Sequence, residues 1–184
     1  MGKEKKCKVC QQLFVQFRTT QKVCSVSCSI ELVKRSNIAL ERTRKATVRR
    51  SDKERLKSRG DWLKEAQAAF NAFIRERDKD LPCISCGTQK SDIQYCAGHY
   101  RTRGAAGHLR FSEINVNKQC NRHCNLALSG NIAAYRVGLI VKYGEQAVID
   151  LENNNETYKY TIDEIKAIKT KYKQLIINLR KTDN

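Results

Sequence analysis

Aromatic residues make up only 7% of this 184-residue chain, and apolar residues of all kinds 40%. So thin a supply excludes one large hydrophobic core, and another source of folding free energy is required. Nothing approaches the roughly eighteen consecutive apolar residues that a membrane helix needs; the longest stretches are as short as Gly138–Val141. Met1–Lys6 carries no apolar signal segment, so a soluble protein in a reducing, intracellular compartment with no membrane partner is expected. Acidic residues are also scarce, with 19 Asp plus Glu against 36 Lys plus Arg and a formal charge of +17. A polyanion is the natural partner of such a surplus, because each neutralised phosphate releases condensed counterions.

What the chain does have is cysteine. The count of nine is odd and the cysteines come in close pairs, which suits metal ligation better than disulfide bridging. Eight of them form two sets: Cys7-x2-Cys10 with Cys24-x3-Cys28, and Cys83-x2-Cys86 with Cys120-x3-Cys124. Two short loops that each present two thiolates to one point complete a tetrahedral Zn²⁺ shell. Two structural zinc sites are therefore expected, each contributing on the order of 10–16 kcal/mol to folding. His123 lies inside the last loop and is an alternative fourth ligand.

Three segments follow from the pattern. Residues 1–28 read as a zinc knuckle, with Leu13–Val15 as a short strand. Residues 29–60 read as a basic helix or linker. A weakly amphipathic helix over Ser29–Ala46 places Ile30, Val33, Asn37, Leu40 and Arg44 near one face, and no heptad is found in it. From Lys34 to Arg59 eleven Lys or Arg oppose three acids, a net +8, and Arg42, Arg44, Lys45, Arg49 and Arg50 are the candidate DNA contacts of an arm along phosphates.

Residues 61–184 read as the third segment. Gly60 breaks the helical pattern and Asp61 caps a helix whose buried face is Ala66, Ala69, Phe70, Phe73 and Ile74. Leu81-Pro82 ends it and delivers Cys83. Further helices are expected over Asn131–Tyr143, Glu145–Glu152 and Ile162–Leu179, the last started by the capping box Thr161-x-x-Glu164. Its stripe of Ile165, Ile168, Tyr172 and Ile176 reads as core.

Between the second pair of cysteine loops lie Tyr95-Cys-Ala-Gly-His99-Tyr, Leu109-Arg-Phe-Ser-Glu-Ile-Asn115, and Asn125 directly after the last cysteine. The order and spacing resemble an HNH nuclease, a β-hairpin followed by a helix. That likeness makes the fold class α+β, a zinc-stapled ββα-metal core with flanking helices. His99 becomes the candidate general base, since a neutral imidazole can take a water proton near pH 7. Asn115 would hold the hairpin loop and orient His99, and Asn125 would contribute to a catalytic cation. His108, in a Gly/Ala-rich loop, reads as a DNA contact or as neutral.

The strings Asn71-Ala-Phe-Ile-Arg-Glu-Arg-Asp, Leu81-Pro-Cys-Ile-Ser-Cys-Gly, Ala97-Gly-His-Tyr-Arg-Thr, Leu109-Arg-Phe, Lys118-Gln-Cys, Ser129-Gly-Asn and Tyr135-Arg-Val resemble the NinG (Rap) recombination proteins of lambdoid phages. The likeness covers nearly the whole chain. It implies a structure-specific endonuclease of the host bacterial cytoplasm and nucleoid, nicking D-loops and Holliday junctions with Mg²⁺ or Mn²⁺. Other recombination proteins would be its partners. Two departures stand out: Gly98 where HNH sites carry Asp or His, and Cys96 where the family carries an acid. Glu113, Asn125 and Asp92 are the substitutes that could complete an oxygen shell, and Arg101, Arg103 and Arg110 would grip phosphates. The competing expectation is a non-catalytic, zinc-dependent mediator that binds branched DNA. Symmetric cutting of a four-way junction would favour a homodimer.

Overall fold

The computed structural model describes residues 3–182, and contacts divide the chain after Lys57. In the first unit, strands β1 (Glu4–Lys6) and β2 (Leu13–Val15) pair antiparallel, Glu4 opposite Val15. The turn between them closes through Cys7 N–H to the Gln12 carbonyl and Gln11 N–H to the Cys7 carbonyl, with Gln11 at φ 65. Two strands of three residues cannot stand alone in water, so a staple is required.

Helix α1 (Val26–Arg55) starts at Ser25, whose hydroxyl accepts from the Cys28 N–H at 3.2 Å. It runs nine residues past the expected end at Ala46, so the basic run belongs to the helix. No Gly or Pro interrupts it, and ion pairs Arg35–Glu31 (2.8 Å) and Lys45–Glu41 (2.7 Å) sit at i,i+4, each worth a few tenths of a kcal/mol. None of its 30 residues is buried.

In the second unit, helix α2 (Arg59–Arg77) is capped by Ser58 rather than by Asp61. Ser58 Oγ accepts from the Asp61 N–H (3.2 Å) while the Asp61 carboxylate accepts from the Ser58 N–H (3.1 Å). Asp61 is the third residue of a capping box, and Gly60 lies inside the first turn, where its missing side chain costs little. The helix ends at Arg77, ahead of Leu81-Pro82. Strands β3 (Tyr95–His99) and β4 (Val116–Cys120) form an antiparallel hairpin, with Tyr95 opposite Cys120 and His99 opposite Val116. A one-turn 3-10 segment (Gly107–Phe111) lies in the loop between them, and a wide π-type turn (Asn121–Ala127) follows β4. Helices α3 (Ile132–Tyr143), α4 (Glu145–Asn153) and α5 (Ile162–Thr182) complete the unit.

Two apolar clusters hold it. In one, α2 buries Trp62, Phe70, Phe73 and Ile74 against Ile165 and Tyr172 of α5 and against Phe111 and Val116, with Phe70 edge-on to Tyr172 at 4.7 Å. In the other, Tyr100, Ala106 and Leu109 of the hairpin loop pack on Tyr135, Leu139, Val148 and Leu151 of α3 and α4. The expected Thr161–Glu164 box is formed, the Glu164 carboxylate accepting from the Thr161 N–H at 2.8 Å. Asp78, just past α2, is buried and accepts from Arg77 (2.7 Å), from Lys142 (2.9 Å) and from the Lys118 N–H of β4 (3.1 Å). A buried carboxylate needs that compensation, and the result ties α2, β4 and α3 together around the hairpin.

Candidate metal centres and the histidine cleft

Each set of four cysteines gathers its sulfurs within 4.8 Å of one another. In the first, Cys10–Cys24 and Cys24–Cys28 sulfurs are 3.5 and 3.7 Å apart. In the second, Cys86–Cys120 and Cys83–Cys124 are 3.6 and 3.9 Å apart. A tetrahedron with Zn–S bonds of about 2.3 Å has edges of about 3.8 Å, so both clusters already have the size of a zinc shell and can hold one ion each. The donor set, four soft thiolates, suits that metal. Cys124 takes the fourth corner of the second cluster, and His123 stays exposed outside it. Burial opposes ionisation at Cys7 and Cys86. Backbone N–H groups around Cys7, and the hydroxyl and N–H of Thr88 beside Cys86, outweigh it and bring both thiols down to about 6. Each cluster therefore has one thiol ready to ionise near neutral pH, as metal uptake requires.

The second centre is built into the fold. The Cys120 N–H donates to Cys83 Sγ at 3.2 Å, and the Asn131 amide reaches Cys124 Sγ at 3.8 Å. Gly87 sits at φ +69, closing the tight turn after Cys86. Helix α3 crosses the Cys83 loop so closely that a Cβ on Gly138 would stand 2.0 Å from the Ile84 carbonyl oxygen.

The hairpin carries Cys120 at one end and His99 at the other. Strand alternation puts Tyr95, Ala97 and His99 on one face, the face that α2 covers. A cleft of about 290 Å³ opens there, lined among others by His99, Asn125, Arg103, Asn71 and Thr102. The structure therefore brings His99, Asn125 and Arg103 to one cleft. Burial, with a smaller push from the Arg103 and Arg110 charges, lowers the His99 imidazole to about 4. It is neutral at pH 7. The Arg110 carbonyl lies 3.4 Å from Nε2 and can only accept, so this contact suits the neutral tautomer with its proton on Nε2.

Asn115 is fully buried behind the cleft. Its amide oxygen accepts from the Arg101 N–H (2.8 Å), and its amide nitrogen donates to the carbonyls of Arg101 (3.0 Å) and Leu109 (3.2 Å). It pins the hairpin loop, and these side-chain hydrogen bonds go to the backbone and not to the imidazole. Its influence on His99 runs through the backbone, His99 being next to Tyr100, whose N–H donates to the Asn115 carbonyl.

Other expected residues lie elsewhere. The Arg101 guanidinium is spent on the carbonyls of Leu151 (3.0 Å), Glu152 (3.2 Å) and Asn154 (2.5 Å) at the end of α4, so it fastens the loop instead of gripping phosphate. The Glu113 carboxylate accepts from the Tyr172 hydroxyl at 3.1 Å in the α2–α5 region, and Asp92 is exposed in the turn before β3; neither lines the cleft. His108 bonds the Asn154 carbonyl at 3.0 Å, a structural tie. Cys96 points its thiol at the Gln119 carbonyl (3.6 Å), and burial raises it to about 11. Gly98 is buried where a Cβ would stand 2.3 Å from Gln119 Oε1. Gln119 fills the space a side chain there would need, held by Ser85 (2.8 Å) and the Gly130 carbonyl (2.6 Å).

Sequence reasoning missed Asn71 and Thr102. Asn71 accepts from Gln67, one turn earlier on α2, at 2.8 Å. A pair of amides at i,i+4 in the otherwise apolar stretch 66–74 was the signal. On α1, Arg44, Lys45 and Arg49 do gather around one shallow recess with Glu41 and Val48. Among the described residues no single helix is long and apolar enough to cross a membrane.

One cysteine centre joins a hairpin to the wide turn that follows it, and the long helix α1 leaves the other. A family model described as "Bacteriophage Lambda NinG protein" matches residues 1–183. The chain belongs to the NinG family. It is 43% identical over 190 residues to "Protein ninG" of Escherichia phage 933W, covering 96% of this chain and 94% of that one. It is 55% identical over 125 residues to "Protein ninG" of Escherichia phage lambda, covering 68% and 60% of the two chains, and 54% to that of Salmonella phage P22 over 125 residues, covering 68% and 61%. No solved structure matches.

Proposed function

We propose that the chain is a structure-specific DNA endonuclease with an HNH-like site, acting on branched recombination intermediates such as Holliday junctions and D-loops. The observation that carries the reading is the cleft in which a neutral, half-buried His99 meets Asn125 and Arg103 above a loop fixed by Asn115. His99 Nδ1 takes the proton of a water whose oxygen attacks the phosphorus, and the bond from phosphorus to the leaving sugar oxygen breaks. Arg103, and Arg110 behind it, hold the phosphate, and Arg42, Arg44, Lys45, Arg49 and Arg50 on α1 supply non-specific affinity for the backbone.

Asn71, Thr102, Asn125 and Ser129 give the cleft neutral oxygens and no carboxylate. Mg²⁺ and Mn²⁺ are ordinarily held through one or two carboxylates, so an ion here would take only amide and hydroxyl oxygens from the protein and would depend on its waters and the substrate phosphate for the rest of its shell. Such an ion would supply charge neutralisation at the scissile phosphate. The family resemblance supports branched DNA as substrate and the bacterial cytoplasm as the place of action.

The lack of an acidic side chain in the cleft favours one second reading, a mediator that binds junctions without cutting them. Labelled Holliday junction, D-loop and linear duplex, incubated with wild-type and His99→Ala protein, with Mg²⁺, Mn²⁺ or chelator, separate the two. Endonuclease action predicts metal-dependent nicks on branched substrates, lost by at least a hundredfold in His99→Ala with binding retained. Tight binding with intact strands in every condition means a mediator.

A further inference from the structure

Helix α1 has a repeat that emerges once the helix is known to run unbroken from Val26 to Arg55. Val26, Ile30, Val33, Asn37, Leu40, Arg44 and Thr47 follow one another at alternating intervals of four and three residues, the a/d spacing of a coiled coil. On the opposite side Arg35, Arg42 and Arg49 recur every seven residues. The apolar members of the seam are bare: Val26 is 77% exposed, Ile30 53%, Val33 55% and Leu40 70%. Ile38 and Val48 are exposed too, Val48 flanking the seam and Ile38 lying off it.

We propose that α1 pairs in parallel and in register with α1 of a second copy of this chain, with Asn37 facing Asn37 across the seam. Asn37 decides both partner and direction. In a parallel, in-register pair its amide meets an identical amide, and each can donate to and accept from the other. An antiparallel pair, in which each a position faces a d position, would set Asn37 against Val33 or Val26 and leave a polar group without a partner. An unrelated apolar helix would do the same, so a second copy is the occupant that satisfies the seam.

Area sets the expected strength. At about 60–120 Å² of apolar surface per buried aliphatic side chain, four from each helix cover roughly 500–900 Å², the low end for a specific interface. Beyond Leu40 the seam passes to Arg44, which meets its own copy, and Arg50 flanks the seam opposite Arg55 of the other helix, so like charges face each other at this end. Added salt or a bound polyanion relieves that repulsion. Pairing would also leave the rows Arg35, Arg42 and Arg49 on the outer faces of the two helices, free for phosphates.

The test is sedimentation equilibrium of the full zinc-loaded chain, at low and high salt and with a short DNA duplex. A monomer–dimer equilibrium that tightens with salt or DNA is expected. Val33→Glu with Leu40→Glu should abolish it while helicity and bound zinc persist, and Asn37→Ile should tighten it at least tenfold. Asn37→Asp and Asn37→Lys should each be monomeric alone and associate when mixed. A monomer in every condition, an oligomer indifferent to Val33→Glu/Leu40→Glu, or no association between the Asp and Lys variants would overturn the proposal. Because none of these readouts is cleavage, failure here leaves the nuclease reading standing, and the reverse holds.

Discussion

The two cysteine centres have the same four donors and the same spacing within each pair, yet the chain around them is used differently. Around Cys7, Cys10, Cys24 and Cys28 there are two three-residue strands and the start of a helix with no buried residue, so among the described residues there a metal shell around Cys7 would be the only core. Around Cys83, Cys86, Cys120 and Cys124 two apolar clusters already hold α2, α5, the hairpin and α3 in place. There an ion would fix the far end of the hairpin that presents His99. One centre makes its fold, and the other tunes a fold that has further support.

The largest effect that could break this contrast is loss of metal. Cys7→Ser with Cys10→Ser should remove all protection of residues 3–25 in amide hydrogen exchange, since a term of about 10–16 kcal/mol disappears from a segment with nothing to replace it. The amides of α2 and α5 should keep theirs. Cys83→Ser should lower the stability of the second unit by several kcal/mol without erasing the α2–α5 pairing, and equal collapse in both experiments would refute the distinction. A finer probe is Gly138→Ala. Its Cβ would stand 2.0 Å from the Ile84 carbonyl, so the Cys83 loop must move, at a cost of about 1–3 kcal/mol. Zinc titration should show weaker binding at one of two sites, with the other unchanged.

Much of the contrast was legible beforehand, for reasons that differ by element. The cysteine pairs, the buried face of α2, the stripe of α5 and the Thr161–Glu164 box are local patterns, and all four recur in the structure as expected. The Ser58 cap was hidden because Gly60 looked like a stop, although a capping box needs only Ser58 and Asp61 three residues apart. The seam of α1 was seen only as one weakly amphipathic face, because Asn37, Arg44 and Thr47 make three of its seven positions polar and the shorter helix left Val26 and Thr47 outside it. Arg101 and Glu113 were misplaced because their partners, the end of α4 and Tyr172, are some fifty to sixty residues away in sequence. Whether an arginine is free for phosphate or consumed by carbonyls is a tertiary fact that no spacing rule contains.

The smallest effect tests the site end of the hairpin. His99 has a folded pKa of about 4, lowered by burial first and by Arg103 and Arg110 second, against about 6.5 in an unfolded chain. With the folded value the lower one, the neutral ring favours the fold. That contribution is complete above pH 6.5 and is lost progressively as the pH falls toward 4, where the unfolded chain takes up the proton and the folded one resists it. Denaturant unfolding of the second unit should therefore weaken between pH 7 and pH 5. Protonation of the zinc thiolates acts in the same direction, so the informative quantity is the difference between wild type and His99→Gln, which keeps a polar side chain but cannot titrate. The variant should lose less stability over that interval. Parallel curves would mean that His99 is protonated as readily folded as unfolded, and would take away the neutral base on which the cleft's chemistry depends.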